Sequence, residues 1–117
     1  MRVPQVVIAT VANAATGSGA YTFDMLGVDR ASLQLNATLT GSDTDVVTLK
    51  ISNDGVNFVG FSTAKTVTFT GGGTVNALFE LGPIDYRYLQ VSYGAPSADA
   101  VTLVAYLNVV ATLTQYV

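Results

Sequence analysis

The sequence predicts an all-β protein, a single domain over residues 1–117 that folds as an antiparallel β-sandwich of about eight strands. Apolar and polar residues alternate with a period of two in several segments, as they do in strands that bury one face. Short breaks rich in Gly, Asn, Asp or Pro separate these segments and predict turns at residues 16–19, 27–29, 41–43, 53–55, 71–73, 82–83 and 94–96. No segment shows helical periodicity over two turns, so no helix is predicted.

The alternation is clearest in residues 31–40, where every odd position is apolar and every even position is Ser, Gln, Asn or Thr. Each such segment predicts a strand with one face toward the core. The Asp54-Gly55 pair lies between two strand-like segments and predicts a hairpin turn. Four later segments repeat the alternation, and their apolar members are Val47, Leu49 and Ile51; Val67 and Phe69; Val75, Ala77, Phe79 and Leu81; and Leu89, Val91 and Tyr93.

The closing segment, Val101 to Leu113, is apolar on both faces. All its odd positions are apolar, and several even positions are large and apolar as well, which is typical of a strand buried on both sides. Since one face of a sandwich strand meets the core, we expect a second subunit to cover the other. The first segment, residues 3–11, is similarly apolar and is expected to share that cover. The residues predicted to meet a neighbouring subunit are Val101, Val104, Tyr106, Val110, Val6 and Ile8.

Charged residues make up only 11% of the chain, against about 25% in ordinary soluble domains. One interpretation is a Thr-rich sandwich, since Thr suits a half-buried pleated surface. The other is that neighbouring subunits bury much of the surface, because Lys and Glu are depleted from interfaces. With two Lys and one Glu in the chain, the second interpretation is favoured, and we predict a homo-oligomer.

The composition also excludes several functions. The five cations are scattered and the net charge is −3, which argues against nucleic-acid binding. No basic amphipathic segment suggests a membrane surface, and the closing segment is too short to cross a bilayer. Without His or Cys, the chain lacks the usual nucleophile–base pairs and the commonest zinc ligands. We therefore predict no enzyme activity, no catalytic residue, no cofactor and no metal site.

Asp43 and Asp45 lie two residues apart in a Gly-Ser-Asp-Thr-Asp segment. Adjacent turn residues are a poor match for the separated carboxyls of a glycosidase. They could contribute to a calcium site, but the six to eight oxygens that calcium needs are not visible in the sequence. The favoured interpretation is a solvated turn, where Asp is common. Gly71–Gly73 lacks the Gly-Lys-Ser/Thr ending of a phosphate loop and is interpreted as a turn.

Tyr86 and Tyr88 flank Arg87, and strand alternation would place both rings on one face. Such a pair with a nearby Arg could anchor a protein interface or stack on a sugar ring. Ordinary strand-edge packing of the two tyrosines is the favoured interpretation. If the rings are exposed, Tyr86, Arg87 and Tyr88 are candidate interface residues, and a glycan is a possible but less favoured ligand.

Two segments resemble a known family. Residues 47–58, Val-Thr-Leu-Lys-Ile-Ser-Asn-Asp-Gly-Val-Asn-Phe, are similar to a strand–turn–strand of discoidin-type jelly rolls, and Tyr86-Arg87-Tyr88-Leu89-Gln90-Val91 is similar to their later strand. Small bacteriophage virion β-sandwich proteins of the capsid decoration or cement type carry much the same pair, often with a Gly-rich turn such as Gly71–Gly73 between them.

This resemblance implies a jelly-roll-like sandwich that decorates or cements a capsid, builds a spike base, or serves as a minor capsid protein. It also implies a location in the virion, self-association, often as a trimer, and contact with the major capsid protein or other virion proteins. The alternative function is a carbohydrate-binding or host-recognition module of a phage fibre or spike. Nucleic acid and membrane are not expected partners.

Overall fold

The structure, a computed structural model, describes residues 2–15, 18–39, 44–70, 74–94 and 100–112. Within these ranges the chain forms nine β-strands. Their bounds are β1 Arg2–Ala15, β2 Ser18–Asp24, β3 Val28–Leu39, β4 Thr44–Ser52, β5 Val59–Gly60, β6 Thr66–Thr70, β7 Thr74–Pro83, β8 Tyr88–Gly94 and β9 Val101–Thr112. In the same residues, no helix has the length and apolar character that a membrane crossing requires.

The strands form two antiparallel sheets that pack face to face. The four-stranded sheet has the order β1-β9-β3-β7, and the five-stranded sheet has the order β2-β8-β4-β5, with β6 pairing with β4 as well. Consecutive strands repeatedly lie in different sheets, as β2 and β3 do. The predicted antiparallel β-sandwich is therefore confirmed, with one strand more than the sequence suggested because β5 has only two residues.

The core lies between the sheets and is built from the residues that the alternation predicts. Leu33 and Leu35 of β3 face Leu49 of β4 and Leu89 of β8 within one cluster, and these four side chains are at most 1% exposed. Full burial of one such side chain is worth about 1.5–3 kcal/mol. Since a slip of one residue would turn each set toward water, this cluster also fixes the strand register.

β9 lies inside the four-stranded sheet, between β1 and β3. Its odd positions face the core, where Leu103 and Ala105 have no exposed surface. Val101 belongs to this row and is also 0% exposed, so the expectation that it meets a neighbouring subunit is wrong. The physical reason is parity: Val101 shares the inner face with Leu103, while Val104 and Tyr106 point to the opposite face.

Some of the turns that the sequence predicts lie in the described residues and can be compared with the structure. Asp54-Gly55 lies in the loop of a hairpin in which Ile51 pairs with Val59, and Gly55 has φ +76°, a conformation that favours glycine. Gly82-Pro83 lies at the end of a strand, as the predicted break requires, although both residues still belong to that strand. β7 continues to Pro83, and the register against β3 shifts between Ala31 and Ser32, opposite Gly82. The predicted turns at 41–43 and 71–73 lie outside the described residues. Of the predicted turns at 16–19 and 94–96, residues 18–19 belong to β2 and Gly94 to β8, and the other residues lie outside the described ranges.

Asp45 is the main departure from expectation. It lies in β4 rather than in a solvated turn, and its side chain is 0% exposed. Its position is two residues before Val47, so the alternation of β4 continues back to it and carries the carboxyl into the core beside its strand partner Phe69. Oδ1 accepts a hydrogen bond from the backbone N–H of Gly94 at 3.1 Å, while Oδ2 has no partner among the described residues. Asp43 lies outside those residues.

Burial raises the pKa of Asp45 above its usual value, because a desolvated carboxylate is costly. The folded state therefore binds this proton more tightly than the unfolded chain. The favourable effect on unfolding free energy is fully present below the unfolded pKa of 3.8 and is lost as pH rises through the higher folded pKa.

We expect Asp45→Asn to stabilise the protein at neutral pH, because the amide removes the buried charge and keeps an oxygen for the Gly94 N–H. Thermal unfolding at pH 3 and pH 7 checks this: the Tm of the variant, relative to wild type, should be a few degrees higher at pH 7 than at pH 3. Asp85→Asn, which removes an exposed carboxylate, controls for the loss of one negative charge. An equal shift at both pH values for Asp45→Asn would contradict the expectation.

Candidate interaction face

The outer face of the four-stranded sheet carries the side chains that alternate with the core residues. Strand pairing sets these side chains in rows across β1, β9, β3 and β7. The central row runs Ile8, Tyr106, Gln34 and Leu78. The neighbouring rows are Val6, Asn108, Ser32 and Glu80 on one side, and Thr10, Val104, Asn36 and Asn76 on the other.

Large apolar side chains on this face are open to solvent in the isolated chain. Val6 is 55% exposed and Ile8 is 64% exposed, both on β1. Val104, Tyr106 and Val110 of β9 are partly buried by their neighbours in the sheet. These five predicted interface residues are therefore brought together on one surface, as their shared parity along β1 and β9 suggested.

Leu78 belongs to the same face and was missed by the sequence analysis. It is 63% exposed, at the far end of the central row from Ile8. The available signal was its departure from the alternation of β7, since Leu78 is apolar at a position where the neighbouring Asn76 and Glu80 are polar. An apolar residue on the polar parity of an edge strand marks an exposed apolar position.

Two shallow grooves cross this face. The larger, of about 420 Å³, runs between the central row and the Val6 row, and is lined by Val6, Ser32, Gln34, Leu78, Tyr106 and Asn108. The second, of about 280 Å³, adjoins it and shares Ser32 and Asn108 with it. The lining therefore combines one aromatic ring, aliphatic side chains and amide groups, a mixture typical of protein interfaces and of small-ligand grooves.

Polar groups on the face are mostly neutral. Gln34 Nε2 donates to Asn36 Oδ1 at 3.0 Å, which orients the two amides along β3. Arg30 and Glu80 both line the smaller groove and place the charges of this face at one corner. The central row and the row of Thr10 contain no charged residue, so a partner can cover them without desolvating an ion.

A second cluster of functional groups lies in the turn of residues 52–57. Asp54 Oδ1 accepts from the Ser52 hydroxyl and from the backbone N–H groups of Val56 and Asn57, and Oδ2 accepts from Asn57 Nδ2. These hydrogen bonds, led by the Asn57 N–H, hold the pKa of Asp54 well below its usual range. Both oxygens are engaged, so the carboxylate holds the turn together. In the described residues no three His, Cys, Asp or Glu side chains are grouped to hold a metal ion.

Arg87 ties this turn to the start of β8. Its Nε and Nη2 bond both oxygens of Asp24 at 2.7 and 3.1 Å, and its backbone N–H donates to Asn53 Oδ1. The guanidinium lies 5.2 Å from the centre of the Tyr88 ring. Its hydrogen bond lowers the pKa of Asp24 below its usual value. The pair is about half exposed, so solvent screens it and its contribution to stability is small.

Tyr86 and Tyr88 do not form the exposed platform that the sequence offered as a candidate, and Tyr86 is a packing residue. Tyr86 is 8% exposed and packs edge-on against Phe61, with ring centres 5.8 Å apart. Strand alternation does not apply to it, because β8 begins only at Tyr88. Tyr86 is therefore unavailable to a partner, whereas Arg87 and Tyr88 remain accessible and stay candidate interface residues. A cleft of about 330 Å³ beside the Asp54 turn is lined partly by Tyr86, Ile51 and Val59.

No protein-family model matches this sequence, and no curated protein matches it. The fold is similar to that of the SPBc2 prophage-derived protein YomS, with TM-score 0.57 and 12% identity over 93% of this chain and 96% of that one. It is also similar to the CBM36-1 domain of a multidomain xylanase from the hindgut metagenome of Trinervitermes trinervoides, with TM-score 0.52 and 10% identity over 95% and 100%. The coat protein of tobacco streak virus gives TM-score 0.53 and 12% identity over 99% and 89%. At these identities the similarity shows the fold alone, a jelly-roll-like sandwich.

The hydroxyl oxygen of Tyr86 is buried. It has no hydrogen-bond partner among the described residues, and burial, with a smaller effect from Asp85, raises the pKa of Tyr86 to about 12. We expect Tyr86→Phe to leave the free energy of unfolding unchanged or to raise it by about 1 kcal/mol, since it removes an unpaired buried polar group. Denaturant unfolding measures this.

Two further variants serve as controls for Tyr86→Phe. Tyr86→Ala should lower the free energy of unfolding by about 3–5 kcal/mol through loss of the buried ring, and Tyr88→Phe should have little effect. A clear loss of stability in Tyr86→Phe would show that the hydroxyl has a partner and would contradict its assignment as a packing residue.

Proposed function

We propose that this chain is a structural protein of a bacteriophage particle. It self-associates and packs on the capsid in a decoration, cement or minor capsid role, with the major capsid protein or other virion proteins as partners. The observation that carries the proposal is the outer face of the four-stranded sheet, where Val6, Ile8 and Leu78 are 55%, 64% and 63% exposed beside partly buried Tyr106.

The energetics of this face support a contact with protein. Contiguous exposed apolar surface is rare on monomeric proteins and marks interaction sites. Each Å² of apolar surface removed from water contributes about 25 cal/mol, and the absence of charge in the central row avoids the cost of burying an ion. The amides of Gln34, Asn36 and Asn108 supply hydrogen bonds that would fix the orientation of a partner.

The fold is compatible with this role. YomS is a prophage-derived protein and the tobacco streak virus protein is a coat protein, and both share the jelly-roll-like sandwich. The proposal is also consistent with the low charge of the chain, since 11% charged residues leave few groups to desolvate when copies pack together.

We also propose that the role is not enzymatic. Of the described carboxylates, Asp54 and Asp24 are engaged in hydrogen bonds with neighbouring groups, and Asp45 is enclosed in the core. General acid–base chemistry needs a titratable group within reach of a substrate, and these three groups are committed to the structure. Glu80 lines the smaller groove, but no second carboxylate among the described residues lines it there.

A glycan is the second candidate partner, favoured by the larger groove. Tyr106 lines this groove, with Gln34 and Asn108 as hydrogen-bonding groups in the same lining. The CBM36-1 domain belongs to a xylanase and shares this fold. A sugar-binding role would therefore use Tyr106 rather than the Tyr86–Tyr88 pair.

We expect the purified protein to form a defined oligomer, and Leu78→Glu to weaken its self-association by about tenfold or more, which corresponds to about 1.4 kcal/mol. The new carboxylate would have to be desolvated in the contact. Light scattering and sedimentation at a series of concentrations measure the copy number and the association constant.

Leu26→Glu is the matched control, because Leu26 is 71% exposed in a turn outside the outer face. It should associate like wild type. A wild-type protein that stays monomeric at its highest soluble concentration and does not bind capsids would overturn the proposal, as would equal effects of the two variants.

The glycan candidate makes a separate prediction. If a sugar occupies the larger groove, Tyr106→Ala should abolish binding on a glycan array, because ring stacking supplies much of the contact energy in such sites. Tyr88→Ala should bind as wild type does. Silence of the wild-type protein across the array would remove this candidate and leave the structural role.

A further inference from the structure

The edge formed by β1 differs from the other sheet edges in the described part of the chain. β1 pairs with β9 along one side only and is 14 residues long. By contrast, β5 has two residues and β6 has five, β2 ends at the ion-paired Asp24, and β7 carries Glu80 and ends at Pro83. Charges, prolines and shortness are the usual protections of a strand edge.

β1 lacks these protections over most of its length. No charged residue lies between Pro4 and Ala15. The segment Gln5 to Thr10 contains neither Gly nor Pro, is rich in β-branched residues, and runs in unbroken register with β9 until the irregularity after Thr10. Val7, which points to the opposite side from Val6 and Ile8, is also 37% exposed. Such a segment is a template for pairing with another strand.

We propose that the free edge of β1 pairs antiparallel with β1 of a second copy, joining two four-stranded sheets into one eight-stranded sheet across a two-fold axis at Val7. This contact is additional to the outer-face contact of the proposed function and does not depend on it. Its occupant is a second copy of this chain.

The symmetry of the segment supports a second copy over a foreign strand. The seven residues from Pro4 to Thr10, the last residue before the irregularity, have Val7 as their midpoint. Antiparallel pairing about this midpoint sets Val6 opposite Ile8 of the second copy, and Val7 opposite Val7. Apolar, β-branched cross-strand pairs of this kind are favourable.

Charge is compatible with self-pairing along the whole strand. In this register Arg2 lies opposite Ala12 of the second copy, so the one cation of β1 does not meet itself. Strand pairing also makes the two outer faces continuous, because Val6 and Ile8 of one copy adjoin those of the other. An isologous contact of this type closes as a dimer.

The contact is small on its own. A seven-residue pairing is roughly 23 Å long, and a strip of that length covers less than the roughly 800 Å² per partner that is usual for a stable dimer. The edge contact is therefore weak in isolation, and covalent trapping is a better measurement of it than sizing.

The chain has no cysteine, so a single introduced cysteine reports only contacts between copies. Directly opposed residues of an antiparallel pair have Cα atoms about 4.5–5.5 Å apart, which a disulfide can span. We expect Val7→Cys to form disulfide dimers under mild oxidation about tenfold faster than a control, because pairing raises the local thiol concentration. The control is Val59→Cys on β5, which is more exposed, at 62% against 37%, so random collision would favour it.

A mixture of Val6→Cys and Ile8→Cys tests the register. These positions face each other across the proposed axis, whereas two copies of position 6 are diagonal neighbours about 7–8 Å apart, beyond the reach of a disulfide. The mixed dimer should therefore exceed both homodimers, and mass spectrometry distinguishes the three species. Circular dichroism of each variant establishes that it is folded.

The outcomes separate this inference from the proposed function. Selective Val7→Cys cross-linking together with unchanged association of Leu78→Glu would support the edge and overturn the outer-face contact. Oligomers weakened by Leu78→Glu, in which the Val7→Cys thiol still reacts freely with a maleimide, would overturn the edge inference alone and leave this edge open to a strand of another protein. Equal cross-linking of Val7→Cys and Val59→Cys would also overturn it.

Discussion

The position of β9 between β1 and β3 is the constraint on which the rest of the fold depends. Segments from the two ends of the chain meet there, since Val7 pairs with Leu107 and Leu33 pairs with the same residue from the other side. The register of β9 therefore determines which face of β1, β9 and β3 is buried. It sends Leu33 and Leu107 into the core and Ile8 and Tyr106 to the outer face, and a slip of one residue would exchange the two sets.

At one end of the sandwich, backbone hydrogen bonds continue each sheet into its turns, since Met25 follows β2 beside β8 and Ile84 follows β7 beside β3. The Met25 N–H donates to the Arg87 carbonyl at 2.7 Å, and the Ile84 N–H donates to the Asp29 carbonyl at 2.9 Å. Backbone hydrogen bonds of this kind satisfy groups that would otherwise be buried without partners. The Asp54 turn joins the same network through Asn53 and Arg87. The segment that resembles discoidin-type jelly rolls therefore contributes to a junction of turns at this end of the sandwich. The side chains of Ser52, Asn53 and Asp54 make hydrogen bonds within this junction.

Much of this architecture followed from period-two patterning. The alternation around Leu33, Leu49 and Leu89 placed these residues in the core because a strand offers only two faces. Asp45 was missed because its residue type suggested a turn, although its parity with Val47 pointed inward. Tyr86 was misplaced for the converse reason: alternation was extended to a residue that precedes its strand.

The candidate face was predicted in part for a related reason. The sequence showed that Tyr106 and Val104 share a parity, and that Val6 and Ile8 share one. It could not show that β1 and β9 are neighbours, because strand order depends on long-range pairing that local patterns do not encode. Leu78 joined the surface only once β7 was placed at the far edge.

The distribution of charge connects the fold to assembly. The junction of turns gathers most of the described ions at one end of the sandwich, while the central row of the outer face and the segment Gln5–Thr10 of β1 have none. Since ions keep a surface hydrated and resist burial, this arrangement keeps one end in water and leaves a face and an edge free to be covered. The two uncharged surfaces meet at Val6 and Ile8 and point in perpendicular directions, one along the plane of the sheet and one away from it. A subunit that made contacts in both directions would be held by several neighbours at once, as the proposed packing on a capsid requires. The charged residues gathered at the junction are Asp24, Asp29, Arg30, Asp54, Asp85 and Arg87.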